Sequence, residues 1–282
     1  MNCYARPESL DEAVALLSNG PRVLLAGGTD LFAATEAPAL AGDILDLTRV
    51  RELRGLRHRG DGGLEIGAAS TWAEIIRADL PPAFDGLRAA AREVGGCQIQ
   101  NAGTIGGNLC NASPAADGVP PLLTLDAQVA LTGPGGARRM PLQEFLLGPR
   151  QTARAASEIL TSVIIPAPAL KGRGVFLKLG ARAHLVISIV MVAARIEIMD
   201  GRVARAAIAV GACSAVAQRL SQVENALAGA PLAEAVARID RTVVAAALAP
   251  LDDHRASAAY RREAAGELVA RAVEAIVSEA AP

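Results

Sequence analysis

Thr104-Ile105-Gly106-Gly107-Asn108-Leu109-Cys110-Asn111-Ala112-Ser113-Pro114-Ala115-Ala116-Asp117 sets two adjacent glycines in a polar stretch between a helical pattern and the next buried segment. Glycine lacks a Cβ, so a loop built on it reaches φ > 0 and lets another group come close to the backbone. Successive N–H groups in such a turn converge on an anion. Upstream, Leu24-Leu25-Ala26-Gly27-Gly28-Thr29-Asp30-Leu31 repeats the theme after a short apolar strand. The pair reads as two jaws on a diphosphate. Neither jaw is a P-loop, because no G-x-x-x-x-G-K-[ST] occurs, and no G-x-G-x-x-G opens a βαβ unit.

Working outward, 282 residues suffice for a sizeable core and predict two domains. Hydrophobic residues make up 51% and aromatics only 2%, so that core must be built from Ala, Val, Leu and Ile. A net charge of -1 leaves no electrostatic footprint for nucleic acid. The longest apolar run, Leu185 to Ala194, is too short to span a bilayer and is interrupted by Ser188. The first residues carry no signal-peptide pattern, so a cytoplasmic protein is expected. Cys3, Cys97, Cys110 and Cys213 form no C-x-x-C pair, which argues against a zinc or iron–sulfur site on this chain. Cys97 and Cys110 flank the second glycine pair and read as small buried fillers.

Residues 8–19 have the pattern of an amphipathic helix capped by Ser9. Strands are expected at 22–26, 43–47 and 64–69, with Asp61-Gly62-Gly63 as a turn. Thr71 with Glu74 spells a capping box for a helix over 72–78, and a further helix at 84–94 leads into the second glycine pair. A short helix after Pro120-Pro121, a strand at 128–132, a turn at 133–136 and a strand at 158–165 follow. Pro166, Pro168, Gly172 and Gly174 mark a boundary. Beyond it, 174–179, 186–198 and 203–211 alternate like antiparallel strands, with Asp200-Gly201 a hairpin turn. Helices are expected at 215–228, 232–248 and 256–277, on one face of that sheet. The fold class is α+β: a two-lobed domain over 1–169, then a smaller α+β domain over 170–282.

With both glycine pairs in order, the chain resembles the flavoprotein (medium) subunit of molybdenum hydroxylases. That group includes xanthine dehydrogenase, carbon monoxide dehydrogenase and 4-hydroxybenzoyl-CoA reductase. The resemblance implies an FAD-binding domain of the molybdopterin dehydrogenase type, then a C-terminal flavoprotein domain of the carbon monoxide dehydrogenase type. By that resemblance Leu24, Leu25, Ala26, Gly27, Gly28, Thr29, Asp30 and Leu31 run along the adenosine diphosphate. Thr104, Ile105, Gly106, Gly107 and Asn108 hold its other side, and Asp117 hydrogen-bonds the cofactor. Leu160 packs on the isoalloxazine, and Lys178, in Phe176-Leu177-Lys178-Leu179-Gly180-Ala181-Arg182, brings a cation that favours an electron-rich ring. The family often has a second arginine after Arg182, where this chain has Ala183-His184.

The resemblance further implies that no residue here is catalytic toward a hydroxylated substrate. A large partner carries the molybdenum cofactor and a small partner two [2Fe-2S] clusters, in a dimer of heterotrimers. This subunit passes electrons from the clusters through non-covalent FAD to NAD+, a quinone or dioxygen. Two alternatives stand beside this reading. One is a self-contained FAD-dependent reductase on a related fold, of the class that makes UDP-N-acetylmuramate. The other is a scaffold without cofactor.

Overall fold

A computed structural model describes residues 3–37 and 39–280. The chain opens with β1 (Tyr4–Ala5), α1 (Leu10–Ser18), β2 (Val23–Leu25) and β3 (Ile44–Asp46). Ser9 starts α1 as expected, its Oγ accepting from Glu12 N at 3.3 Å. β1 and β2 both pair in parallel with β3, giving the order β1-β3-β2. Ala13 and Leu17 of α1 bury their side chains with Leu45, Leu47 and Val50 in a small core of this first lobe.

The second lobe begins with β4 (Leu56–His58), which sequence patterning missed, and β5 (Leu64–Gly67). Short helices follow: α2 (Trp72–Arg77), α3 (Asp85–Glu93), α4 (Cys97–Ala102) and α5 (Ile105–Asn111). The Thr71–Glu74 capping box is complete in both directions. After α6 (Val119–Thr124) come β6 (Gln128–Gly133), β7 (Gly136–Pro141), α7 (Leu142–Phe145), β8 (Leu146–Gly148), β9 (Gln151–Thr152) and β10 (Ile159–Ile165). The antiparallel order is β4-β5-β10-β6-β7, so β10 lies at the centre although it comes last. Trp72, Phe84, Ile105, Leu109 and Phe145 fill this lobe's core with aliphatic residues around them.

The last part is an antiparallel sheet, β11 (Arg173–Leu179), β12 (Val190–Met199), β13 (Arg202–Gly211) and β14 (Gln218–Arg219), in that order. The β12–β13 turn has Asp200 at φ 51° and Gly201 at φ 68°, the two left-handed residues that an Asp-Gly hairpin uses. α8 (Ser221–Leu227), α9 (Leu232–Ala235), α10 (Arg241–Ala246) and α11 (Ala258–Glu279) follow. The expected helix at 215–228 starts only at Ser221, because Gln218 and Arg219 pair with β13. The expected helix at 232–248 breaks into two, because the Asp240 carboxylate accepts from Thr242 N and caps a new start. Among the described residues no helix is long and apolar enough to cross a membrane.

One face of this last sheet buries Val192, Ala194, Ile208 and Val210 with Val269 and Val273 of α11. α3 and α6 of the second lobe cover the other face. Arg195, 1% exposed, crosses that junction. Its Nε donates to Thr124 O at 2.7 Å, and Arg219 reaches Asp126 at 2.8 Å. On the α11 side, Arg261 is equally buried: Nη1 donates to Ile189 O at 2.5 Å and to Ala212 O at 3.0 Å, and Nη2 to Asp253 at 2.8 Å. Two desolvated guanidiniums, each paired with carbonyls and a carboxylate although Arg261 Nε is left without a partner, thus fasten the sheet on both faces; leaving either charge unpaired would be costly.

Candidate functional site

The first glycine pair follows directly from β2. Gly28 has φ +71°, the left-handed backbone expected there. Gly27 answers a different demand: a methyl in place of its hydrogen would lie 2.0 Å from the carbonyl oxygen of Ala102, so the loop rests on the chain just before Thr104. The loop closes through its carbonyls, Phe32 N donating to Gly28 O and Ala34 N to Asp30 O, both at 2.9 Å. Among the described residues, the N–H groups of Gly27, Gly28, Thr29, Asp30 and Leu31 meet no protein acceptor. A row of unpaired donors around a left-handed residue is a concavity suited to an anion.

The second pair departs from the loop read in the sequence. Thr104, extended at φ -112° and ψ 154°, is the N-cap of α5, and both glycines sit in its first turn without a positive φ. Its N–H groups are already taken: Ile105 N by Ser70 O at 3.0 Å, Gly106 N by Ala68 O at 2.8 Å, Gly107 N by Thr104 Oγ1 at 3.0 Å. Gly106 is needed for packing, since a methyl there would stand 2.7 Å from Ala68. Gly107 differs: a methyl would meet only Thr104 Oγ1, at 3.0 Å, and otherwise point into open space. The Thr104 hydroxyl, having accepted from Gly107, keeps its own proton to donate.

The remaining walls come from β10 and β11. Leu160 sits where the β10–β6 register shifts between Leu160 and Ser162, and a bulge of this kind re-aims a side chain out of the regular alternation. Lys178 Nζ lies 2.7 Å from Asp117 Oδ2, both side chains under one-tenth exposed. Ser188 Oγ donates to Asp117 Oδ1 at 2.6 Å. Burial pushes the Asp117 carboxyl above the usual carboxylate range, against the pull of Lys178 and Ser188. Desolvation pushes the Cys110 thiol up to about 11, which keeps it neutral. Cys97 is exposed, so the filler reading fails for it. Among the described residues no three His, Cys, Asp or Glu side chains gather as a metal site.

These walls enclose a cleft of about 790 Å³, within the roughly 300–1,000 Å³ usual for small-molecule sites. Leu24, Leu25, Ala26, Gly27, Gly28, Thr29, Asp30, Leu31, Thr104, Gly106, Gly107, Asn108, Asp117, Leu160 and Lys178 all line it. Ile105 does not: the helical turn rotates it into the core, where it is fully buried. Arg182 is also outside, donating to Leu185 O in its own loop. No motif marks Arg150, in the β8–β9 turn with φ 56°, or Arg154 just beyond β9, yet both line the cleft. Nor does the sequence mark Asn108 Oδ1 as a buried acceptor without a partner. A row of free N–H donors, a hydroxyl, an apolar wall and the cationic side chains of Arg22, Arg150, Arg154 and Lys178 suit a diphosphate joined to a flat, electron-accepting ring, and FAD fits that set.

Comparison with known proteins agrees. Residues 1–168 match the FAD binding domain in molybdopterin dehydrogenase, and residues 176–276 match the CO dehydrogenase flavoprotein C-terminal domain. The nicotinate dehydrogenase FAD-subunit of Eubacterium barkeri is 36% identical over 81% of this chain and 80% of its own length. The xanthine dehydrogenase FAD-binding subunit of Escherichia coli O157:H7 is 31% identical over 98% of this chain and 95% of its own. Among solved structures, carbon monoxide dehydrogenase from Hydrogenophaga pseudoflava superposes with a TM-score of 0.88 at 30% identity, covering 98% of this chain and 97% of that one. A shared fold, two successive domain matches and near full-length identity of this order place the chain in the family of FAD-binding flavoprotein subunits of molybdopterin dehydrogenases.

Proposed function

We propose that the chain is the electron-transfer subunit of a molybdenum hydroxylase complex. It takes electrons from [2Fe-2S] clusters of a small partner, through FAD in the cleft, to NAD+, a quinone or dioxygen. A large partner holds the molybdenum cofactor and the hydroxylated substrate, in a cytoplasmic dimer of heterotrimers. The boundary between this chain's two domains is placed at 169/170. The observation that carries the reading is the single cleft shared by both glycine pairs, Asp117, Leu160 and Lys178.

When bound, FAD supplies a ring that accepts electrons singly and releases them in pairs. The protein's share is position and electrostatics. The N–H row of residues 27–31 would hold the diphosphate, with Thr104 and Asn108 lining the opposite side of the cleft. Ile159 and Leu160 would form the apolar wall that excludes water from a bound ring. Lys178 sets a positive charge beside it, held in the cleft by Asp117.

Two measurements test this. Acid precipitation of the purified chain should release stoichiometric FAD into the supernatant; colour retained in the pellet contradicts non-covalent binding, and FMN contradicts a diphosphate site. Co-expression with its genomic neighbours should recover an iron–sulfur and a molybdenum subunit. Substrate hydroxylation by the isolated chain would overturn the electron-transfer assignment.

A further inference from the structure

Residues 180–189 link β11 to β12 and bring the chain back to the cleft at Ser188, which is fully buried. Asp117 and Lys178 face the cleft, and Ser188 stands behind them. Each Asp117 oxygen has one side-chain donor: Lys178 Nζ on Oδ2 at 2.7 Å, Ser188 Oγ on Oδ1 at 2.6 Å. Accepting the FAD assignment above, we propose that Ser188 is a positioning residue of the flavin site, holding Asp117 as an ionised, oriented carboxylate and thereby setting how far the Lys178 charge acts on the ring.

With Asp117 ionised, the Asp117–Lys178 pair is neutral overall. With Asp117 protonated, Lys178 keeps an unbalanced positive charge at the cleft wall, which favours an electron-rich ring. The state of Asp117 therefore enters the flavin potential. Burial and the nearby negative charge of Glu93 on α3 favour the protonated form, while Lys178 and Ser188 favour the ionised one. His184 lies 3.9 Å from Glu93 on the exposed side, and Arg150 and Arg154 are the other cations lining the cleft on the second-lobe side. Removing the Ser188 hydroxyl leaves a buried carboxylate oxygen without its donor, so Asp117 takes up its proton at a higher pH.

The test uses the full chain loaded with FAD, as wild type, Ser188→Ala and Ser188→Thr, with the flavin midpoint potential recorded against pH by spectroelectrochemistry. In Ser188→Ala, the bend that Asp117 puts into the potential–pH line should move to higher pH, with a more positive potential on the acid side of neutrality. Ser188→Thr, which keeps the hydroxyl, should return the bend to its wild-type place. An alanine variant that melts earlier but whose line superimposes on wild type overturns the proposal and leaves only a structural role. A wild-type chain that takes up no FAD overturns instead the site assignment beneath it.

Discussion

At Gly27-Gly28 the chain leaves five consecutive N–H groups without an acceptor among the described residues; at Gly106-Gly107 the same dipeptide opens a helix whose first donors are claimed by Ser70, Ala68 and Thr104. The spelling is shared and the physics is not. In the first pair, glycine supplies a left-handed φ and a close approach to Ala102. In the second, it supplies clearance: toward Ala68 at Gly106 and toward the cleft at Gly107. The cleft thus offers free backbone donors on one side and a helix start with its donors already taken on the other. Four glycines in two identical pairs have four separate reasons to be glycine.

The largest effect that would sharpen this contrast is a loss of fold at the two positions packed on backbone. Gly106→Val and Gly27→Val should each lower the stability of the cofactor-free protein by about 3 kcal/mol, read in thermal melts. A near-native melting temperature for either would mean that the close approaches to Ala68 and Ala102 are not essential. Gly107→Val should do the reverse. Its stability should stay within about 1 kcal/mol of wild type, while FAD affinity falls about 100-fold, near 2.7 kcal/mol. Stoichiometric FAD in that variant would break the assignment of α5 as the second jaw.

Smaller again is Gly28→Ala. A Cβ on a left-handed backbone costs about 1–2 kcal/mol, and here the Phe32 ring, 2.5 Å from the new methyl, must also move. Both melting temperature and FAD affinity should fall, because the N–H row itself is distorted. The smallest effect is at Thr104→Ala. Loss of the N-cap costs about 1 kcal/mol of stability, and Thr104→Ser should restore it. If Thr104→Ala weakens FAD binding more than Gly28→Ala does, then the second jaw, not the first, is the main anion site.

Much of the fold was legible because its signals are local. Ser9 before a helix, the Thr71–Glu74 reciprocal cap and the Asp200-Gly201 turn each fix a few dihedrals through neighbours in sequence. The helical state of residues 105–111 was not legible. Two glycines weaken helix propensity by about 1 kcal/mol each, and what overrides this is the docking of Ile105 N and Gly106 N on Ser70 and Ala68, distant in sequence. β14 escaped for the same reason, as only its pairing with β13 stops a helix from starting there. In the site, motif residues stood out, while Arg150 and Ser188 did not. Ser188 read only as a polar break in an apolar run, and its bond to Asp117 spans 71 residues.

Arg261 gives the site a history as well as a shape. Its guanidinium grips the carbonyl of Ile189, the residue after Ser188, from 72 positions further along the chain. A ribosome delivers the N-terminal part first, so both glycine pairs emerge while the wall bearing Lys178 and Ser188 still lacks its fastener. Until α11 docks, the carbonyl of Ile189 lacks the donor that Arg261 gives it in the complete fold. A product cut short before residue 261 would therefore lack the side chain that ties Ile189 and Ala212 together behind that wall.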